Sequence, residues 1–196
     1  MKKIFITIII LLVSGISLSA QEKPSEGIKP ALLVIDIQNQ YLPLMDEREK
    51  SFAMYVINAY IDGFRQGGFP IIRIYHSDPS EGPFAGTPAF EFPEEVKILP
   101  GDPKVVKTYA NAFTKTELEK LLRDKGINTL FLCGLSSVGC VLATYMGAKD
   151  HDFRAFLIKD GIMSHNADYT NQIEDIFSAL GYEAVEVMLE NAVQMK

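Results

Sequence analysis

Cysteine is scarce in this chain of 196 residues, with only Cys133 and Cys140. Two thiols seven apart match no zinc spacing, and a disulfide framework would need more of them. Positive charge is in deficit too. The net charge of −6 argues against a nucleic-acid surface and against binding to anionic membranes. Histidine is limited to His76, His151 and His165, distant from one another in sequence. Internal repeats are absent, and nothing marks a second domain.

What remains is the composition of a soluble globular protein, 47% hydrophobic and 22% charged, long enough to bury a real core as one domain. The one long apolar run lies at the start. Lys2 and Lys3 precede Ile4 to about Leu18, and the small residues Ser17, Ser19 and Ala20 close the run. That order reads as a secretory signal peptide over residues 1–20, too short for a comfortable transmembrane span. An uncleaved anchor is the alternative. No Cys follows the run, which speaks against a lipoprotein. Residues 21–29 form a polar leader and residues 30–196 the working domain. The expected protein is therefore exported, periplasmic or secreted, with no membrane attachment once the signal is removed.

The domain alternates between strand and helix patterns. Ala31 to Ile35 is an all-apolar run ending in Asp36, which reads as a buried parallel strand with a carboxylate at its tip. Asp36 is either a turn residue or a functional one. Glu49 to Gln66 has apolar positions at helical spacing, with Phe52, Tyr55, Val56, Ala59, Tyr60 and Phe64 expected inward. Phe69 to Tyr75 is a second strand, followed by His76, which either lines a site or is a solvated loop histidine. Residues 79–103 make a long Pro-, Gly- and Phe-rich loop, expected to contribute to a pocket. Lys104 to Lys107 is a brief strand. Thr114-x-x-Glu117 reads as a capping box for the next helix. Ala155 to Ile158 is a further strand, Asn166 to Leu180 a helix, and Glu183 to Met188 a last strand. Such alternation implies a parallel sheet with helices on both faces.

The stretch Leu130 to Ala148 organises the rest. A doubly buried strand ends at Gly134, Ser136 and Ser137 are candidate helix caps, and an apolar helix begins at about Val138. Cys140 thus falls in the first helical turn, at the carboxyl end of a strand, where open α/β sheets bind ligands. Helix dipole and free N–H groups there lower a thiol's pKa and can hold an oxyanion. The competing reading is a small buried apolar residue.

Gly134-Leu-Ser-Ser-Val-Gly-Cys140-Val-Leu-Ala-Thr144 resembles the nucleophile segment of the isochorismatase-like cysteine hydrolases. Asp36-Ile-Gln38-Asn39-Gln40-Tyr41 is similar to the family's D-x-Q-N-[DE]-[FY], with Gln40 in place of the usual acid. Lys107-x-x-x-Asn111-Ala112-Phe113 is similar to its K-x-x-x-[SN]-A-F. His151-Asp-Phe stands where the family has an Arg-Gly-aromatic turn, and Asp152 tolerates the left-handed backbone that the Gly would supply. The resemblance implies a three-layer, Rossmann-like α/β fold with six parallel strands in the order 3-2-1-4-5-6. It implies a triad of Asp36 as base, Lys107 as cation and Cys140 as nucleophile. It also implies a cis Leu135–Ser136 peptide and an oxyanion hole of the Ser136 and Cys140 N–H groups. Tyr41, His76 and Phe113 are expected to line the pocket. Nicotinamidase-like members hold a metal through an Asp-x-His pair. His76-x-Asp78 reverses that order and further histidines are far off, so neither metal nor other cofactor is expected.

The implied activity is hydrolysis of a small amide or carbamoyl C–N bond through a thioester. An isochorismatase-type reaction on another small substrate and a non-catalytic α/β binding protein are the rivals; thiol-redox chemistry would want a C-x-x-C pair. The expected partners are a small-molecule substrate and, from the resemblance, further copies of the chain.

Overall fold

Pro30–Ile35 (β1) is buried at every position, because both faces of this strand are covered. Leu32 and Val34 point into one apolar cluster, and Ala31, Leu33 and Ile35 into the other. This is the period-two alternation of a central strand. The structure, a computed structural model, describes residues 27–194; the expected signal peptide and most of the leader lie outside those residues.

After β1 come a 3-10 turn at Leu42–Leu44, then α1 (Glu47–Gln66), β2 (Ile71–His76), β3 (Lys104–Lys107), α2 (Leu118–Asp124), β4 (Thr129–Leu135), α3 (Cys140–Asp150), β5 (Arg154–Met163), α4 (Ala167–Ile176) and α5 (Tyr182–Gln194). The strands form one sheet in the order β3-β2-β1-β4-β5, and every pairing is parallel. Helices α1 and α5 pack on one face and α2 and α3 on the other. Among the described residues no helix is long and apolar enough to cross a membrane.

The expected class holds, but the sheet has five strands rather than six. Glu183–Met188 is not a strand; it lies inside α5. Its buried residues Val185 and Ala192, with Met188 and Leu189 packed beside them, fall at spacings of three and four, so the helical period wins over a brief alternation. What survives of a sixth strand is one parallel bridge between Ile158 and Leu180 at the edge of β5.

Other local expectations shift for physical reasons. Tyr60 and Phe64 face inward as expected, but Phe52 and Tyr55 are 57% and 71% exposed, stacked on each other at 6.4 Å; Ala53, Met54, Ile57 and Ile61 complete the inward stripe of α1. The expected capping box does not form: Glu117 itself holds the cap position of α2 with no side-chain cap bond, and the hydroxyl of Thr116 before it accepts the Leu118 N–H at 3.2 Å. Strand β5 runs past Ile158 to Met163 because Asp160, at φ 59°, absorbs an irregularity in the β4–β5 register. Asp152 does adopt the left-handed backbone, at φ 59°.

Gly134 is obligatory. A Cβ there would lie 2.1 Å from the carbonyl oxygen of Ile35, and its φ is 111°, a region that side chains avoid. The close approach brings the carboxyl ends of β1 and β4 together, and that is where the site forms.

Candidate active site

Asp36 follows β1 directly. Its backbone sits at φ 54°, which Asp tolerates better than most residues, and its N–H donates to the Ile74 carbonyl at 2.9 Å. The carboxylate is 2% exposed. Lys107 ends β3, where burial alternates along the strand, turning Val105 and Lys107 inward and Lys104 and Val106 outward. The Lys107 side chain is fully buried. Its Nζ donates to Asp36 Oδ2 at 2.7 Å and to His76 Nδ1 at 3.3 Å. Register alone makes His76 and Lys107 neighbours, since they are paired across β2 and β3.

Gln38 explains why His76 is held so well. The buried amide accepts the His76 N–H at 2.8 Å and donates to the His76 carbonyl at 3.0 Å. A side-chain amide thus continues the β1–β2 ladder one step beyond the strands.

Cys140 opens α3. The Ser136 and Ser137 side chains do not cap this helix as expected, because Gly139 occupies the cap position. Ser137 is buried, with its hydroxyl 3.2 Å from Thr170 and its N–H on the Met163 carbonyl at 2.8 Å. The Leu135–Ser136 peptide is cis. The Ser136 carbonyl accepts from Gly139 and Val141. No backbone acceptor within the described residues takes the N–H of Ser136 or of Cys140, so both remain available to an anion. A carboxylate oxygen of Asp36, a ring nitrogen of His76 and Sγ of Cys140 all lie within 4.8 Å of one another.

Thr144 ties this helix to the Lys107 loop. Its hydroxyl accepts the Ala112 N–H at 3.0 Å, and Asn111 Oδ1 accepts the Phe113 N–H at 2.9 Å. The two motifs therefore meet: Thr144 anchors the loop that follows Lys107.

Burial dominates the electrostatics. Asp36 is raised above its ordinary value by desolvation, against the pull of Lys107. The Cys140 thiol is pushed up to about 11, first by burial and then by the Asp36 charge, with Lys107 opposing. Here the expectation of a lowered thiol fails: Lys107 does not offset burial and the Asp36 charge. His76 is lowered by burial and by Lys107, so it rests neutral. Cys133 is buried completely and raised further still, by burial alone.

A cavity of about 220 Å³ opens on this cluster, lined by Asp36, Tyr41, Met45, His76, Leu135, Ser136 and Cys140. Tyr41 lies edge-on to His76 at 6.1 Å, and its hydroxyl donates to the Gly82 carbonyl at 3.4 Å. Phe113 does not line the cavity. It stacks on His151 at 4.9 Å and packs on Phe153 at 5.7 Å, because Asn111 and Thr144 fold its turn onto α3. The long loop also lines none of it. Phe90 and Phe92 stack on Tyr75 in the core, Phe84 is half exposed, and the loop's backbone accepts from Asn39 and Gln40. Met45 and Leu135 are lining residues that sequence reasoning missed; Leu135 lies inside the nucleophile motif and Met45 just past the Asp36 motif, but neither carries a chemical signal.

The Asp-x-His pair of the metal-holding members has no counterpart here, because the Asp78 carboxylate caps the Ser80 and Glu81 N–H groups. Lys107 Nζ engages Asp36 Oδ2 and His76 Nδ1, yet a carboxylate oxygen of Asp36, a ring nitrogen of His76 and Cys140 Sγ lie close enough together to share an ion.

The Isochorismatase domain family matches residues 30–185. The isochorismatase family protein YddQ of Bacillus subtilis is 33% identical over 154 residues, covering 74% of this chain and 81% of that one. Maleamate amidohydrolase of Pseudomonas putida is 33% identical over 97 residues, 49% of this chain and 46% of that enzyme; the match spans under half of its length. The solved structure of an isochorismatase from Pseudomonas putida superposes with a TM-score of 0.70 at 26% identity, covering 84% of this chain and 93% of that one.

Proposed function

This chain belongs to the isochorismatase family of hydrolases, and on that premise we propose that it cleaves the C–N bond of a small amide or carbamoyl substrate through a thioester on Cys140. The observation that carries the reading is the convergence of three chemically complementary side chains at one cavity: Asp36 salt-bridged to Lys107 at 2.7 Å, with the Cys140 thiol in the same cluster. The similarity to an amidohydrolase supports the choice of bond.

The chemistry starts from a protonated thiol, since burial pushes Cys140 up to about 11. Asp36 Oδ1 is buried without a hydrogen-bond partner, so it is free to take that proton. The sulfur then attacks the carbonyl carbon, forming a C–S bond as the carbonyl electrons move to oxygen. The Ser136 and Cys140 N–H groups stabilise that oxyanion. Collapse breaks the C–N bond, and the amine leaves with the proton from Asp36. Water attacks the thioester with Asp36 again as base, releasing the acid and restoring the thiol. Lys107 compensates the negative charge that passes between Asp36 and sulfur.

The test is amine or ammonia release across a panel of small amides, with a Cys140→Ala control. Loss of about 10³-fold or more in kcat is expected for removing a covalent nucleophile. Near-full activity in Cys140→Ala would instead favour a hydrolysis without a thioester, of the isochorismatase type.

A further inference from the structure

His76 is the one cavity-lining side chain whose hydrogen-bonding state is dictated from behind. A lysine ammonium has only donors to offer, so the contact from Lys107 Nζ at 3.3 Å requires a lone pair on Nδ1. The ring proton then sits on Nε2, and no partner for that N–H occurs among the described residues. The Gln38 clamp fixes the backbone and Tyr41 flanks the ring at 6.1 Å. The cavity thus presents a fixed neutral donor beside the thiol.

Its charge is as informative. Tyr41, Met45, Leu135 and Ser136 are uncharged, and among the described residues Asp36 is the only acidic one on the lining. The nearest cation, Lys107, is fully buried behind Asp36. Among the described residues no arginine or lysine lines the space, so a substrate carboxylate would be desolvated with no cation to meet it. The cavity, about 220 Å³, is smaller than the roughly 300–1,000 Å³ of pockets for drug-sized ligands.

Building on the function proposed above, we infer that the substrate is a small uncharged carboxamide whose acyl part carries a hydrogen-bond acceptor read by the Nε2–H of His76, and that carboxylate-bearing amides are excluded. His76 is then a specificity-determining residue, distinct from the triad.

Three matched amides test this: crotonamide, fumaramate and the methyl ester of fumaramate, alike in shape and differing in acceptor and charge. The ester should exceed crotonamide in kcat/KM by about tenfold, the range of one hydrogen bond to a built site, and fumaramate by about 10²-fold or more, the range of one unpaired buried charge. In His76→Ala the ester-to-crotonamide ratio should fall toward one. His76→Gln, which returns an N–H near the Nε2 position, should restore it. A purely structural role would lower all three substrates together. Fumaramate turned over better than its ester, or an unchanged ratio in His76→Ala, overturns the inference.

Imidazole 15N NMR supplies a readout independent of turnover. The resting protein should show the Nε2–H tautomer, and the ester, but not fumaramate, should shift that signal in Cys140→Ala. An Nδ1–H tautomer or an imidazolium at neutral pH overturns the inference even if hydrolysis occurs. The expected tautomer and ester shift, with no wild-type turnover of any amide, would sink the hydrolase reading and leave the recognition by His76 standing.

Discussion

At the scale of single residues, the unexpected finding is a thiol raised rather than lowered, and it gives the two charged neighbours opposite signs. The Asp36 charge raises Cys140 and Lys107 lowers it. Asp36→Asn should therefore leave iodoacetamide labelling of Cys140 unchanged or faster while turnover collapses, because the base is gone. Lys107→Met should slow both. It also strands a buried carboxylate, which costs about 3–5 kcal/mol or is relieved by protonation, so the acid limb of the rate profile should move to higher pH. Even in the wild type that limb should lie above the ordinary carboxylate value of 3.8, since burial raises Asp36, and activity should climb as the base deprotonates. Mass mapping of the label decides the nucleophile: Cys133, wholly buried, should stay unmodified. Labelling of Cys133 first, or an unshifted acid limb in Lys107→Met, contradicts this account. The convergence of Asp36, Lys107 and Cys140 was legible because each stands in a short motif at a strand end. The roles of Gln38 and Thr144 were not, since an amide clamp and a hydroxyl anchor depend on distant backbone that no local pattern announces.

Among the elements, the first five strands were readable from their local patterns, while their order came from the family resemblance and holds for those five. The sixth failed because a short amphipathic helix and a short strand can share four or five residues of pattern. The exposed aromatics of α1 misled for a related reason: helical spacing identifies a stripe, but tertiary packing chooses which stripe faces in. Gly134→Ala tests the β1–β4 approach. With the Ile35 carbonyl 2.1 Å from the new Cβ, a central strand must move, and a loss of about 3 kcal/mol or more is expected in denaturant melts. A cost under about 1 kcal/mol would mean the two strands are not so closely apposed. Glu174 offers a second test. It is 6% exposed and accepts the Asp160 N–H at 2.7 Å, which holds the irregular middle of β5. Burial raises its pKa from 4.5 to about 7, so the folded state binds this proton more tightly than the unfolded one. Stability should then fall as pH rises between those two values, by on the order of 1–3 kcal/mol. Glu174→Gln keeps the acceptor without the charge, and its melting temperature should be nearly flat over the same window. A parallel fall in both proteins would remove Glu174 as the cause.

For the molecule as a whole, we propose an exported, metal-independent homo-oligomer, and each part has its own measurement. Chelator treatment should leave amide hydrolysis intact, because Lys107 already supplies a cation beside Asp36 and Asp78 is tied to its own loop; activity lost and restored by Zn²⁺ or Mn²⁺ would refute that. Light scattering at assay concentration should give a mass above that of one chain, and a monomer would refute the oligomer. Export can be argued furthest. The charged, apolar and small-residue regions of residues 1–20 stand in signal-peptide order. Among the described residues, the start of the domain is held by Asn128, whose Nδ2 donates to the Gly27 carbonyl at 2.9 Å and whose Oδ1 accepts the Lys29 N–H at 2.9 Å. Strand β1 begins only at Pro30. Cleavage before Gln21 would take Lys2 and Lys3 away and move the net charge from −6 to −8, more soluble and still unsuited to anionic surfaces. The two thiols can survive outside the cytosol, because Cys133 is enclosed in β4 and Cys140 rests protonated, the slow-reacting form toward oxidants. N-terminal sequencing of the natively exported protein should therefore start near Gln21, and a chain engineered to begin there should melt at the same temperature. An intact Met1 on a membrane-bound or cytosolic protein would overturn the assignment.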